Sequence, residues 1–258
     1  MDHDLADFAI ELAMAARQET LREQPGGHNA QDKSDGGQYD PVTDADRAAE
    51  TVIRDMISRK FPHHGISGEE FAETLGQGSI RWSIDPIDGT RSYICGLPTW
   101  TTLIAMLDGI DPVLGLIDAP CLDEIYVGGE DGAVLIRGND RRAISTSGCK
   151  RLAEARFSTT DPYLFGSANS RLQRVLDAIR VARFGHDAYA YARLAAGSID
   201  LVIESGLKPH DYYALIPVVR AADGHFGDWH GGEDFASGNV IAAASRELYE
   251  AAVELLAK

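Results

Sequence analysis

The spacing of apolar residues divides the chain into a helical start, a β-rich middle and an alternating end. Apolar residues recur at helical spacing through residues 4–22 and again after Asp44, which predicts two amphipathic helices. From residue 82 to about residue 144, apolar runs favour strands, with hairpin signals at Asp108-Gly109 and around residues 128–132. Beyond residue 150, strand-like and helix-like segments alternate, which is typical of a layered α/β arrangement.

The last third of the chain contains predicted strands at 156–160, 181–184, 199–204 and 240–244, and predicted helices at 167–179, 187–196, 211–222 and 245–256. We therefore expect two lobes, an α+β lobe over residues 1–148 and an α/β lobe over residues 149–258. Between the first two helices, residues 26–38 are polar and show no period, which indicates a loop and a candidate lid.

Composition limits the classes of partner. The 258 residues include 24 basic and 40 acidic side chains, giving a net charge of −16, which opposes non-specific binding to nucleic acid or to an anionic membrane. No apolar run approaches the ~20 residues of a membrane span, and the N-terminus has no signal-peptide pattern. The three cysteines match neither a disulfide framework nor a zinc site. We expect a cytoplasmic protein.

A short stretch after the first predicted strand of the middle region contains the strongest chemical signal. Asp85 and Asp88 lie three residues apart and are followed by Gly89 and Thr90. Because Pro86 cannot continue a β-ladder, we expect the strand to end at Asp85 and Asp88 to lie in the following turn. Glycine lets the backbone approach a ligand closely, and the threonine offers a hydroxyl at a helix start. The stretch could hold a metal against a phosphate, or it could be only a capped turn.

Two further acidic residues lie at segment ends. Glu69 follows a short strand-like run, and Asp211 opens a predicted helix; each also has an ordinary interpretation, as a solvated acid and as a helix-start acid. If both converge with Asp85 and Asp88, they form the oxygen-rich set that Mg²⁺ prefers. Paired metals ~3.5–4 Å apart can hydrolyse a phosphate ester by stabilising the attacking and the leaving oxygen.

Four segments resemble, in this order, the inositol monophosphatase family of Mg²⁺-dependent, lithium-sensitive phosphatases: residues 40–46, 68–70, 82–90 and 208–211. The resemblance spans nearly the whole chain. It implies a layered αβαβα sandwich of the inositol monophosphatase and fructose-1,6-bisphosphatase type, a homodimer, and a small phosphorylated metabolite as substrate. It also implies two or three Mg²⁺ ions per subunit, with Mn²⁺ as a substitute and Li⁺ as an inhibitor.

The resemblance implies roles for individual residues. The implied metal ligands are Glu69, Asp85, the Ile87 carbonyl, Asp88 and Asp211. The implied catalytic residues are Thr90 and Asp46, which would orient and deprotonate the attacking water, together with Glu69, which would help to hold the third metal. The implied phosphate-binding groups are Asp88 and the amides of Gly89 and Thr90.

Lys33 resembles the mobile-loop lysine of the family. Residues 36–39 lengthen the loop that follows it, so the chain departs from the family pattern at this point.

The C-terminal half resembles the histidinol-phosphatase branch of the family in residues 159–162, 184–191 and 200–211. This implies hydrolysis of L-histidinol phosphate to L-histidinol and phosphate, a step of histidine biosynthesis. The candidate substrate residues are Asp187, Glu204 and Arg183. Two pocket acids would pair with the ammonium group of this substrate, whereas a neutral polyol offers no charge to pair with.

Other interpretations stay open. Asp187 could cap the helix that follows it, and Arg183 could be a surface residue. His186 and His210 are better explained as packing or rim residues than as metal ligands, because the oxygen set is complete without them. The enzyme alternative is a phosphatase for inositol 1-phosphate or for a nucleotide 3′-phosphate. A regulatory binding protein is a third alternative, which the complete acidic set and the charge disfavour.

Overall fold

The structure is a computed structural model that describes residues 3–22, 30–33 and 41–258. Its described helices are α1 (His3–Arg22), α2 (Asp44–Lys60), α3 (Thr90–Ile94), α4 (Asn169–Leu176), α5 (Tyr189–Ala195), α6 (Pro209–Tyr212), α7 (Leu215–Ala221) and α8 (Arg246–Ala257). None of these helices is long and apolar enough to span a membrane.

The larger sheet has seven strands within the described residues, and they lie in chain order: β3 (Gly65–Gly68), β4 (Ile80–Asp88), β5 (Thr101–Asp108), β6 (Asp111–Ala119), β7 (Glu124–Gly129), β8 (Gly132–Arg137) and β9 (Asp140–Ile144). The first two are parallel and the others are antiparallel. Gly109 and Gly132 have positive φ angles of 63° and 98° at the two predicted hairpins, a conformation that costs glycine little.

The smaller sheet has five strands within the same described residues, in the order β11 (Val181–Phe184), β10 (Arg156–Thr159), β12 (Leu201–Glu204), β14 (Val240–Ala243) and β13 (His225–Asp228). The first three are parallel to one another, and β14 is antiparallel to both of its neighbours. A separate pair of two-residue strands, β1 (Gln31–Asp32) and β2 (Pro41–Val42), joins the chain on both sides of residues 34–40.

Three buried apolar clusters show how the layers stack. In the first, α1 and α2 pack on one face of the larger sheet through residues such as Trp82 and Ile84. In the second, α5 and α7 are packed between the two sheets, and in the third α4 and α8 cover the outer face of the smaller sheet. Alternate residues of each central strand face opposite layers, so one strand contributes to two clusters. The result is the expected αβαβα sandwich.

Three details differ from the sequence-based expectations. β4 does not end at Asp85 but continues through Pro86 to Asp88. The helix expected at 211–222 is divided into α6 and α7, because Pro217 has no N–H and its ring would clash with the carbonyl four residues earlier. β13 was not predicted at all. The candidate lid at 26–38 lies largely outside the described residues, and its described part includes β1.

Candidate active site

A β-bulge presents the two acids of the central motif. Asp85 pairs with Leu103 and Asp88 pairs with Thr101, so two residues of β4 lie opposite the single residue Thr102 of β5. The Thr102 hydroxyl donates to the carbonyl of Pro86 at 2.8 Å, which satisfies the backbone where the ladder is interrupted. The bulge therefore accommodates the proline inside the strand.

Asp211 joins this pair from the other half of the chain. One carboxylate oxygen from each of Asp85, Asp88 and Asp211 lies within 4.8 Å of the other two. Asp211 is also bonded to the start of α6, where its Oδ2 accepts a hydrogen bond of 2.7 Å from the Lys208 amide. The carboxylate is thus fixed at the helix start and still reaches the bulge.

The three carboxylates lie close together, and each disfavours the ionised form of the others. Burial, then the charges of Glu69 and Asp88, raise the pKa of Asp85 well above its usual value. Burial, then the charges of Asp187 and Asp211, do the same to the pKa of Asp88, and burial also raises the pKa of Asp211. A bound cation would remove this repulsion, so the donor set fits a hard divalent metal.

Glu69 lies in the same cavity but outside the group of three. Its carboxylate accepts a 2.8 Å hydrogen bond from Lys33 Nζ, which also donates to Glu70 at 2.7 Å. Burial alone would raise the pKa of Glu69, but the Lys33 hydrogen bond and the nearby His210 lower it below its usual value. The ammonium group of Lys33 therefore provides the positive charge beside Glu69.

Asp46 lies at the third position of α2. Its Oδ2 accepts hydrogen bonds from both the amide and the hydroxyl of Thr43, the residue that caps the helix. Burial, reinforced by the charges of Glu70 and Glu69, raises the pKa of Asp46 to about 7 against the opposing effect of these bonds. Asp46 is therefore part of the acidic cluster electrostatically, although it does not line the cavity described below.

The turn after the bulge contains the remaining motif residues. Gly89 has φ 80° and ψ 42°, in the left-handed region that glycine adopts at little cost, and it precedes the five-residue helix α3. The Thr90 hydroxyl donates to the Ile87 carbonyl at 3.1 Å. The threonine expected to orient the water and the carbonyl expected to bind metal are thus in direct contact.

Asp187 lies directly over this turn. A Cβ atom on Gly89 would lie 2.7 Å from Asp187 Oδ2, so the carboxylate fills the space that the glycine leaves. Asp187 does not cap α5: the capping position is Ala188, and Asp187 instead accepts a 2.9 Å hydrogen bond from the Ser92 hydroxyl. The helix-cap interpretation of Asp187 is therefore wrong.

Glu204 is the last residue of β12. It accepts hydrogen bonds from the Thr159 hydroxyl and from both the amide and the hydroxyl of Thr160, at 3.0, 2.6 and 3.0 Å. Burial raises its pKa to about 8 despite these donors, and the charge of Asp187 acts in the same direction. Glu204 and Asp187, which come from different elements, therefore lie close enough for their charges to interact.

These residues line one cavity of about 250 Å³ between the ends of the two sheets. Sequence reasoning placed eleven residues in the site. All but Asp46 and Arg183 line the cavity: Glu69, Asp85, Ile87, Asp88, Gly89, Thr90, Asp187, Glu204 and Asp211. It gave no role to other lining residues, which include Arg91, Thr160, Leu164 and Lys208. It also missed Ser92, for which the only available signal was its position two residues after Thr90.

Arg183 is not brought to this cavity. It lies on the edge strand β11 and lines a separate cavity of about 310 Å³, together with His186 and Arg193. His186 forms a 3.1 Å contact from its Nδ1 to the Ser158 hydroxyl. His210 lies 3.4 Å from Asp211, measured from Nε2 to Oδ1.

Comparisons with known proteins agree with this architecture. The profile of the inositol monophosphatase family matches residues 1–258. The chloroplastic bifunctional phosphatase IMPL2 of Arabidopsis thaliana is 42% identical over 228 residues, which cover 84% of this chain but only 65% of that protein. The histidinol-phosphatase of Streptomyces coelicolor is 38% identical over 216 residues, or 80% of each chain.

A solved structure extends the comparison to the fold. An inositol monophosphatase from Zymomonas mobilis matches with a TM-score of 0.85 and 33% identity, covering 99% of this chain and 98% of that one. The family profile, the relatives and the αβαβα layers with their acidic cavity agree, and the chain therefore belongs to the inositol monophosphatase family of metal-dependent phosphatases.

Proposed function

We propose that this protein is a Mg²⁺-dependent phosphomonoesterase that hydrolyses L-histidinol phosphate to L-histidinol and phosphate. The observation that carries the proposal is the arrangement of acids in one cavity. Asp85, Asp88 and Asp211 converge at one part of it, and Asp187 and Glu204, which no metal role requires, also line it. The first group suits a metal and a phosphate, and the second suits a cation on the substrate.

Asp85, Asp88, Asp211, Glu69 and the Ile87 carbonyl would hold the metal. When bound there, Mg²⁺ supplies positive charge that polarises the phosphoryl oxygens and activates water. The carboxylates are held in place before any ligand arrives, since Asp85 accepts a 3.1 Å hydrogen bond from the Ile87 amide and Asp211 is bonded to Lys208. Preorganisation of this kind lowers the cost of ordering side chains on binding.

The reacting water would be oriented by Thr90 and deprotonated with the help of Asp46. The Thr90 hydroxyl lies at the cavity wall, and Asp46, with a pKa of about 7, has the properties of a group that can accept a proton near neutral pH. The amides of Gly89 and Thr90, at the start of α3, would hold the phosphate oxygens.

The preference for histidinol phosphate is argued from charge. Asp187 and Glu204 are close enough for the charge of one to raise the pKa of the other, so an ammonium group between them would relieve their repulsion. Inositol phosphate offers only hydroxyl groups at this position and would bring no positive charge to either acid. The 38% identical histidinol-phosphatase also supports this substrate, whereas the similarity to an inositol monophosphatase structure favours the alternative.

The test is a phosphate-release panel with Mg²⁺ that compares kcat/KM for histidinol phosphate, inositol 1-phosphate and a nucleotide 3′-phosphate. We expect the first to be preferred, and we expect Asp187→Ala to weaken its hydrolysis while sparing that of inositol 1-phosphate. The matched control is Asp161→Ala, which removes an acid from the N-terminus of a neighbouring 3₁₀ turn outside the cavity lining. A wild-type preference for inositol 1-phosphate would contradict the proposed substrate.

A further inference from the structure

We propose that Ser92 is a positioning residue that fixes the carboxylate of Asp187 and thereby sets the preference for cationic over neutral phosphate esters. The inference rests on the proposed function, because it concerns the same cavity. Ser92 lies on α3, immediately after the turn that contains Gly89 and Thr90, and is only 6% exposed. Its hydroxyl donates to Asp187 Oδ2 at 2.9 Å across 95 positions of the chain.

The backbone at Asp187 is held separately from its side chain. Asp187 has a φ angle of 46°, in the left-handed region that a residue with a side chain seldom adopts. The next amide, that of Ala188, donates to Asp88 Oδ2 at 2.7 Å. This bond fixes the path of the main chain but leaves the direction of the Asp187 carboxylate undetermined, and the Ser92 hydroxyl supplies that second constraint.

The direction of this carboxylate decides what it can recognise. Asp187 Oδ2 lies where a side chain on Gly89 would be, between α3 and the cavity that also contains Glu204. A serine hydroxyl donates a hydrogen bond without adding charge, so it orients the carboxylate without placing a positive charge beside it. The positive charge of Arg91 lies in the same cavity and would repel an ammonium group. The electrostatic potential that the ammonium group meets therefore depends on the orientation of the Asp187 carboxylate.

A rival explanation is that the contact serves α3 instead. In that case Asp187 would hold Ser92, and through it the phosphate-binding turn, in place for every substrate. The two explanations differ in their consequences: a specificity role affects only the cationic substrate, and a structural role affects all phosphate esters alike.

The experiment compares Ser92→Ala and Ser92→Thr with the wild-type protein on histidinol phosphate and inositol 1-phosphate, with melting temperatures to verify folding. We expect Ser92→Ala to raise KM for histidinol phosphate about tenfold, the effect of losing one hydrogen bond to a charged group, with little change in kcat. KM for inositol 1-phosphate should not change. Ser92→Thr keeps the hydroxyl and should restore the wild-type KM.

The matched control is Ser198→Ala, which removes a hydroxyl that is hydrogen-bonded to Arg193 away from this cavity. It should leave both substrates unaffected. If Ser92→Ala raises KM equally for both substrates, or for neither, the proposed role of Ser92 is overturned. The proposed function then still stands, provided that the wild-type protein prefers histidinol phosphate. A wild-type preference for inositol 1-phosphate would overturn both proposals.

Discussion

Asp88 and Ala188, one hundred positions apart, are joined by a 2.7 Å hydrogen bond in which the Ala188 amide donates to Asp88 Oδ2. The bond ties the bulge of the larger sheet to the segment that enters α5. It connects a carboxylate of the expected metal site with the neighbour of the expected specificity residue, Asp187. A substitution at Asp88 must therefore preserve this acceptor if its charge is to be tested by itself.

Asp88→Asn tests the charge separately from the hydrogen bond, because asparagine keeps a carbonyl oxygen for the Ala188 amide and removes the charge. Without divalent cation, we expect the variant to melt at a higher temperature than the wild type, since burial and the charges of Asp187 and Asp211 disfavour ionised Asp88. It should lose most of the stabilisation that Mg²⁺ gives the wild type, and with it the Mg²⁺-dependent turnover. Thermal melts in EDTA and in Mg²⁺, with a phosphate-release assay, measure both effects.

The control for this variant is Asp108→Asn, which removes the same charge from an exposed hairpin position. It should keep the Mg²⁺-induced shift and the activity. Full Mg²⁺-dependent activity in Asp88→Asn would refute the metal assignment.

Thr90→Ala should lower kcat more than it changes KM. The hydroxyl that donates to the Ile87 carbonyl at 3.1 Å is the group expected to orient water, and general acid–base groups of this kind contribute at least ~10²-fold. Thr90→Ser keeps the hydroxyl and should retain most of the rate. Steady-state kinetics on the preferred substrate distinguish the two, and an alanine variant with wild-type kcat would exclude Thr90 from the reaction.

Glu204 should make the stability of the protein depend on pH. Its pKa is about 8 in the folded chain and 4.5 when unperturbed, so the folded state holds a proton that the unfolded state has lost between these values. This contribution is fully present below pH 4.5 and is lost as the pH rises through about 8. Because Glu204→Gln cannot lose the proton, its melting temperature relative to the wild type should increase from pH 5 to pH 9 in EDTA. A constant or falling difference would contradict the raised pKa.

The same protonation should affect the substrate. An ammonium group pairs with ionised Glu204, so binding of a cationic ligand must release the proton at neutral pH. We expect KM for histidinol phosphate to fall as the pH rises from about 6.5 to 8, and we expect Glu204→Gln to lose this dependence. The pH profile of KM for both proteins provides the measurement, and an identical profile in the variant would show that another group is responsible.

Arg17 should be important for stability outside the site. Its guanidinium makes short bonds to buried Asp118, at 2.6 Å from Nη2 and 2.9 Å from Nε, and another to Asp123, which connects α1 to the end of β6. Removing one partner of a buried pair leaves a charge uncompensated, so Arg17→Met should lower the free energy of unfolding by about 3–5 kcal/mol. Arg17→Met with Asp118→Leu should recover part of this loss in urea denaturation. A double variant as unstable as the single one would show that packing of the arginine matters more than its charge.

Much of the fold could be predicted because local physics decides it. Helical spacing placed α1 and the start of α2 within a residue or so, glycines marked both predicted hairpins, and the alternation after residue 150 indicated the layered second half. The two-lobe boundary, the homodimer and the cytoplasmic location stay predictions, as do the roles of the individual site residues.

The Asp85-to-Thr90 motif and the order of the acidic segments were determined by the sequence itself, and with them the family and the reaction class. The tertiary structure decided the features that depend on partners distant in the chain. β13 is a strand because it pairs with β14, and β4 continues past Pro86 because Thr102 of β5 satisfies the bulge. Likewise, Asp187 lies over Gly89 because Ser92 and Asp88 hold its segment there. Residue spacing carries no information about such contacts, since they arise only when segments that are separate in the sequence come together in the folded chain.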